Sequence, residues 1–334
     1  MKRWFVLFLS CSITAKAAEP QPKPGDRLPR IGDEIVVCGQ LYHTTTKVVL
    51  WTDPGGYDAY RVERRFAPRD QTEPKPRDAT KRPSNAAERG DARYGLRTRG
   101  LTKEQIERVR GGGWDLPLLQ QVVDQFVIHF DACGTSRRCF EVLQDRRGLS
   151  VHFMLDLDGT IYQTLDIKES AWHATIANSR SVGIEIANIG AYPVDDPEGP
   201  LSRWYRPDST GRIRIVPPEA SDSIDPARVL RPIREEKIVG TIQGQRLEQY
   251  DFTPQQYEAL ARLTATICTV FPKIRCDYPR DEKGVLLRQK LPSDQLARYQ
   301  GILGHYHNQT NKVDPGPAFQ WDRLIGEARR LMLR

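Results

Sequence analysis

The chain has 334 residues, enough for one large domain with an appendage, and carries a formal net charge of +7 with a pI near 9.1. A basic balance favours polyanionic partners such as nucleic acid, an anionic membrane or an acidic wall polymer. The charges are mixed in sign, as in RVERRFAPRD (61–70), and no nucleic-acid-binding module accompanies them, so a nucleic-acid role would rest on pI alone and is set aside.

The first twenty residues, MKRWFVLFLSCSITAKAAEP, place Lys2 and Arg3 before an apolar stretch, Trp4 to Ile13, and close on Ala15-Lys16-Ala17. That order describes a secretory signal peptide over 1–17. Its apolar part is shorter than the about 20 residues a spanning helix needs, and no later segment is apolar enough. The expected protein is exported to the periplasm or the extracellular space, with no transmembrane helix. Lipid anchoring at Cys11 fits poorly, because the apolar stretch before it is very short. Outside the cytoplasm close cysteine pairs read as disulfides. Cys133 with Cys139 and Cys268 with Cys276 enclose short loops, which leaves Cys38 odd. No C-x-x-C knuckle of a zinc ribbon is present.

In chain order, 18–32 reads as a Pro-rich tether and 33–62 as a small β extension with runs at Ile35–Cys38 and Lys47–Trp51. Residues 63–99 are charged, Pro-bearing and poor in large apolar side chains: a linker. The compact domain spans 100–334. Thr102 caps a helix over KEQIERVR with Gln105 completing a capping box, and Gly111 stops it. QFVIHF (125–130) is a buried strand, and Ser136 opens a helix. Residues 151–165 form a hairpin turning at Asp158-Gly159. SVGIEIANIG (181–190) is another strand. A loop-rich insert covers 191–250, with hairpin material in GRIRIVPP and KIVGTIQGQRLEQY. Thr253, Pro254 and Gln256 start the clearest helix, with Phe252 stapled to Tyr257, and Phe271-Pro272 ends it. Residues 319–333 form a last amphipathic helix. Strands and helices mix without regular alternation, so the expected class is α/β: a mixed central sheet flanked by helices, with the small N-terminal β extension.

The chemistry lies in few side chains. His129 closes an apolar strand, where strand ends open into sites. His305 closes a second apolar run, GILGH, and Asp314 precedes Pro315-Gly316. Two histidines and a carboxylate make a catalytic zinc set with one position left open. A zinc hydrolase also needs a proton shuttle. Glu185 qualifies: on a strand it lies opposite to Ile184 and Ile186, and a carboxylate in such company needs a partner or a task. Lys312 is placed to stabilise an oxyanion. Of the other histidines, His307 in an extended segment would face away from His305 and be exposed. His152 would line a cleft, and His173, following Trp172, would either form a substrate wall with it or support a ligand from behind. His43 receives no role.

FVIHF, SVHFMLDLDGTIYQ, AWHA, SVGIEIANIG and GHYHNQTNKVDPGPAFQW, in that order from about 125 to 321, resemble the zinc-dependent N-acetylmuramoyl-L-alanine amidases, in the group related to phage lysozyme-type amidases and peptidoglycan-recognition proteins. The resemblance implies zinc ligation by His129, His305 and Asp314, a catalytic carboxylate at Glu185 and intermediate stabilisation by Lys312. It implies a peptidoglycan or muropeptide substrate, a monomer, and a disulfide between Cys133 and Cys139 as in many recognition proteins. Val151 stands where some relatives have tyrosine, so the carboxylate version of the site is the one that fits. Thr175 stands where glycine usually follows WHA. The insert 191–250 is longer than a minimal amidase requires and is expected to reshape the groove, while residues before 100 have no counterpart. The rival reading is a peptidoglycan-binding receptor without turnover, against which the full ligand set counts. A zinc peptidase of the H-E-x-x-H type is excluded by the absence of that motif.

Overall fold

The computed structural model describes residue 24 and residues 29–60, 93–194, 198–217 and 227–333. The expected signal peptide, most of the tether and most of the linker lie outside the described residues. The chain divides into two units, Met1–Ile31 and Gly32–Arg334, and all elements named here belong to the second. No helix among the described residues is long and apolar enough to cross a membrane.

β1 (Glu34–Val37) and β2 (Gln40–His43) form a hairpin, followed by β3 (Val48–Leu50) and β4 (Tyr94–Leu96). α1 (Lys103–Arg110) and α2 (Leu116–Val122) lead into β5 (Gln125–Phe130). α3 (Ser136–Glu141) runs into a π-helical stretch, Val142–Arg147. Then come β6 (Phe153–Leu155), β7 (Ile161–Gln163), β8 (Glu169–Ala171) and β9 (Ser181–Ile186). The insert holds β10 (Tyr192–Pro193), α4 (Pro200–Trp204), β11 (Tyr205–Pro207), β12 (Ile213–Ile215), β13 (Ile238–Ile242) and β14 (Gln245–Gln249). α5 (Pro254–Val270), α6 (Ser293–Arg298), β15 (Gly301–Gly304) and α7 (Trp321–Met332) complete the chain.

Six strands make the central sheet in the order β15-β5-β9-β6-β7-β3. β15, β5, β9 and β6 run parallel, β7 returns antiparallel to β6, and β3 lies parallel to β7. The sheet is therefore mixed, as the irregular alternation of elements implied. Along β5 and β9 alternate residues point to opposite faces. Phe126, Ile128, Val182, Ile184 and Ile186 enter one core together with Leu260, Leu263 and Ile267 of α5 and Leu324 of α7. Burying each such side chain is worth about 1.5–3 kcal/mol. His129 and Glu185 fall on the other face, and that face carries the site.

The start of α5 follows its sequence signals. The Thr253 hydroxyl accepts from Gln256 N–H at 3.1 Å, while the Gln256 side chain accepts from Thr253 N–H at 2.9 Å. The Phe252 and Tyr257 rings meet at 6.0 Å.

Two regions depart from the expectation. Residues 33–62 are not a separate extension, because β3 is an edge strand of the central sheet and Ile35, Val37, Val48 and Leu50 are buried in its core. The fully buried Gln163 side chain fastens this segment, accepting from Val36 N–H at 2.7 Å and donating to Val36 C=O at 2.8 Å. The insert, read as loop-rich, has its own core of Leu201, Tyr205, Ile215 and Leu230 against Leu157 and Ala187. GRIRIVPP and KIVGTIQGQRLEQY do not pair with each other. β12 returns onto β11, β13 onto β14, and β10 completes a three-stranded sheet with the latter pair.

The expected disulfides are absent: all five described cysteines are free. The spacing does bring each pair together, since the thiols of Cys133 and Cys139, and those of Cys268 and Cys276, are close enough to perturb each other's ionisation. Proximity follows from the fold, whereas the bond requires an oxidant. Cys38 is half-buried, and burial beside Asp166 pushes its thiol up to about 12.

Candidate metal centre

β5 and β15 are adjacent and parallel, so their C-terminal ends open at the same edge of the sheet. His129 is the fifth residue of β5, and His305 follows the last residue of β15. The turn after His305 brings Asp314 back beside both. Three donor atoms form a triangle: His129 Nδ1 to His305 Nδ1 is 2.9 Å, His129 Nδ1 to Asp314 Oδ2 is 2.9 Å, and His305 Nδ1 to Asp314 Oδ2 is 3.0 Å. All three residues are buried.

Linear hydrogen bonds cannot account for all three sides of this triangle, because each Nδ1 offers a single in-plane site. The outer nitrogen of each histidine already has a partner: His129 Nε2 lies 3.0 Å from His173 Nδ1, and His305 Nε2 contacts Gln309 Oε1. His173 Nε2 lies 3.2 Å from Ser181 Oγ. The Gln309 oxygen suits a proton on His305 Nε2, and a proton on His129 Nε2 towards His173 is the tautomer that would free both inner Nδ1 atoms for a metal. Burial and the neighbouring His305 pull the His129 imidazole down to about 4, so it is neutral at physiological pH. Burial alone would push Asp314 up, but His305 and His129 outweigh it and hold the carboxyl below its usual range. Two imidazole Nδ1 atoms and a carboxylate oxygen therefore converge on one point, which is a donor set for a cation. Imidazole and carboxylate donors suit Zn2+, and outer hydrogen bonds that orient each imidazole are the usual support of such sites. A second potential group, Asp33, Glu34 and His43, differs: His43 is exposed and its Nδ1 already pairs with Asp33 at 2.7 Å.

Glu185 lies in β9, an interior strand, with His129 of β5 directly opposite in register. Same-register residues on neighbouring strands share a face, so the carboxylate stands beside the triangle. Burial, then Asp314 and Asp131, push it well above its usual value, and Lys312 pulls it back. Lys312 is half-buried in the turn between His305 and Asp314.

The other histidines are redistributed. His307 is wholly buried, not exposed, because 305–307 is a 3-10 turn and not an extended strand. Its Nδ1 accepts from Gly304 N–H at 2.9 Å and its Nε2 donates to Leu287 C=O at 2.7 Å, so it braces the ligand turn without joining the triangle. His152 does not line a cleft. It is wholly buried, with Nδ1 accepting from Gly183 N–H at 3.1 Å and Nε2 donating to Glu169 C=O at 3.0 Å. His173 takes the supporting one of its two expected roles and backs His129, while Trp172 beside it is exposed. Gly183 makes room for this arrangement: a Cβ there would lie 2.4–2.7 Å from the His173 ring.

Sequence reading missed Arg97, Ser181 and Gln309. Gln309, four residues after His305, carried the only positional hint. Arg97, wholly buried, donates Nε to Ile167 C=O (3.1 Å), Nη1 to Asn178 C=O (3.2 Å) and Nη2 to Ser181 C=O (2.9 Å). Asn178 Oδ1 in turn accepts from His173 N–H at 3.1 Å. Arg97→Met leaves three carbonyls unpaired, at about 1–3 kcal/mol each, against the relief of a buried charge. The expected result is a net loss of about 2–4 kcal/mol, read from the urea midpoint.

The family model described as N-acetylmuramoyl-L-alanine amidase matches residues 119–317, more than half of the chain. Comparison with curated proteins gives no match. Among solved structures, the selenomethionine derivative of AmpD is 16% identical, covering 70% of this chain and 89% of that one at a TM-score of 0.31. AmiD from E. coli, in complex with anhydro-N-acetylmuramic acid-L-Ala-D-gamma-Glu-L-Lys, is 18% identical, covering 61% of this chain and 57% of that one at 0.34. The endolysin amidase LysCS from Clostridium intestinale URNW is 15% identical, covering 63% and 86% at 0.33. The matched span begins just before β5 and ends just after the Asp314 turn, so it encloses the whole triangle together with Glu185, and the chain belongs to the N-acetylmuramoyl-L-alanine amidase family.

Proposed function

We propose that this chain hydrolyses the amide between N-acetylmuramic acid and L-alanine in peptidoglycan or its fragments, using Zn2+ held by His129, His305 and Asp314. The carrying observation is the closed triangle of two imidazole nitrogens and a carboxylate oxygen, with Glu185 in register beside it. Zinc, when bound, supplies Lewis-acid polarisation and makes water acidic enough to react at neutral pH. Glu185, raised above the ordinary carboxylate range, takes a proton from the attacking water and returns it to the departing amine of L-alanine. The Lys312 ammonium balances negative charge as it develops on the carbonyl oxygen. His173 and Gln309 hold the two imidazoles in the tautomers the donor set requires.

The signal-peptide pattern of residues 1–17 supports export to the periplasm or the extracellular space, where the substrate lies and where both cysteine pairs could oxidise. The protein acts there as a monomer in wall turnover or lysis. The test is digestion of defined muropeptides and purified sacculi by the purified chain, with products read by mass spectrometry. Free stem peptides should appear, vanish with a zinc chelator and return on zinc readdition. Glycopeptide that stays intact with zinc present would favour a receptor and sink the proposal.

A further inference from the structure

The insert was expected to reshape the substrate groove, but two of its glutamines reach the turns that carry the ligands. Gln249, the last residue of β14, is wholly buried. Its Nε2 donates to Pro315 C=O at 3.1 Å and to Asn188 Oδ1 at 3.3 Å, and its Oε1 accepts from Ala318 N–H at 3.0 Å. The carboxamide thus spans both sides of the turn that begins at Asp314. Gly316 admits it: a Cβ there would lie 2.1 Å from Gln249 Oε1, and its φ of +87° suits glycine. Gln243, in the bend between β13 and β14, donates Nε2 to Tyr306 C=O at 2.8 Å and to Gln309 C=O at 2.9 Å. Those carbonyls belong to the turn that carries His305 and its outer partner Gln309.

We propose that the β13–β14 hairpin is a clamp for the metal centre, with Gln249 positioning Asp314 and Gln243 positioning His305. Neither glutamine touches the donor triangle. Each fixes backbone carbonyls next to a ligand, so each sets where a ligand atom sits and not what it is. The same hairpin is tied down elsewhere: β14 pairs with β10, and Gly240 of β13 lies against Pro317, where a Cβ would come within 2.8 Å. A ligand shell held from two sides in this way loses little ordering entropy when it takes up a cation, and loss of such outer partners weakens metal binding about 10- to 100-fold.

This inference rests on the zinc reading above, and its test separates the two. The full chain is stripped of metal and zinc affinity is measured by competition with a chromophoric chelator. The cobalt-substituted protein is recorded by visible absorption. Gln249→Met and Gln243→Met should each raise the zinc Kd about 10- to 100-fold and shift the cobalt bands. Leu230→Ala, which hollows the insert's own core away from both turns, should lower the melting temperature and leave the zinc Kd within about twofold. If the buried Gln249 variant does not fold, the half-buried Gln243 variant decides alone. Glutamine variants with wild-type zinc affinity overturn the clamp and leave the zinc site standing. Equal weakening by Leu230→Ala also overturns it, because affinity would then merely follow stability. A wild-type chain that takes up no zinc overturns both.

Discussion

Glu185→Gln should lower turnover of a defined muropeptide by about 10²- to 10⁴-fold, the usual range for removing a positioned general base, while zinc content stays at the wild-type level. The substitution keeps the side chain's shape and replaces the basic carboxylate by an amide that takes up no proton at neutral pH. Glu185 is well suited to this test because β9 is an interior strand, paired to β5 on one side and β6 on the other. Its position is therefore fixed by the sheet and not by the charge that the mutation removes. Ile184 and Ile186, on the opposite face, anchor the strand in the main core. Near wild-type turnover would remove Glu185 from the mechanism. Loss of zinc in this variant would give the carboxylate a ligand's role instead.

Asp314→Asn should abolish stable zinc uptake, and it should do so without harming the metal-free fold. The Asp314 carboxylate lies 2.9 and 3.0 Å from the two imidazoles, and an amide of the same size fills the same place without its charge. With the shape kept, the melting temperature without metal should change little beside the loss of the zinc-induced rise. The rise that zinc produces should disappear. A ligand present at 1,000 times its Kd stabilises by about 4 kcal/mol, and that increment belongs to the wild type alone. Metal analysis and paired melting curves with and without zinc read both halves. Retained stoichiometric zinc in this variant would show that Asp314 is not a ligand. His129→Ala should lose zinc too, but at a cost to the fold, because it opens a gap beside His173 and His305.

The parts of the molecule legible in the sequence were those whose pattern repeats locally. The capping boxes at Thr102 and Thr253 and the apolar runs of β5 and β9 announce their elements within a few residues. The triangle was legible because histidines at strand ends are rare and chemically loaded. What escaped depended on long-range placement. A three-residue strand such as β3 has the same pattern at a sheet edge as in a separate hairpin, so its partner β7 could not be read. His307 was misplaced because the segment after β15 coils into a 3-10 turn, where the alternation rule does not hold. His152, Arg97, Gln243 and Gln249 are polar residues whose partners are mostly backbone groups dozens of residues away. No spacing rule points to a carbonyl.

The attachment of β3 has a further consequence for how the chain is joined. β3 pairs with β7, and β4 pairs with β8 on the far side of residues 61–92 in sequence. The Gln163 bonds to Val36, and the bonds from Cys38 N–H (2.9 Å) and Gly39 N–H (2.7 Å) to the Asp166 carboxylate, hold the same early segment without using the intervening backbone. Ile35, Val37, Val48 and Leu50 alone contribute roughly 6–12 kcal/mol of burial at about 1.5–3 kcal/mol each. Covalent continuity between residues 60 and 93 is thus not what keeps this edge in place. The protein is suited to reconstitution from two polypeptides, with the shorter one supplying the outermost strand in trans.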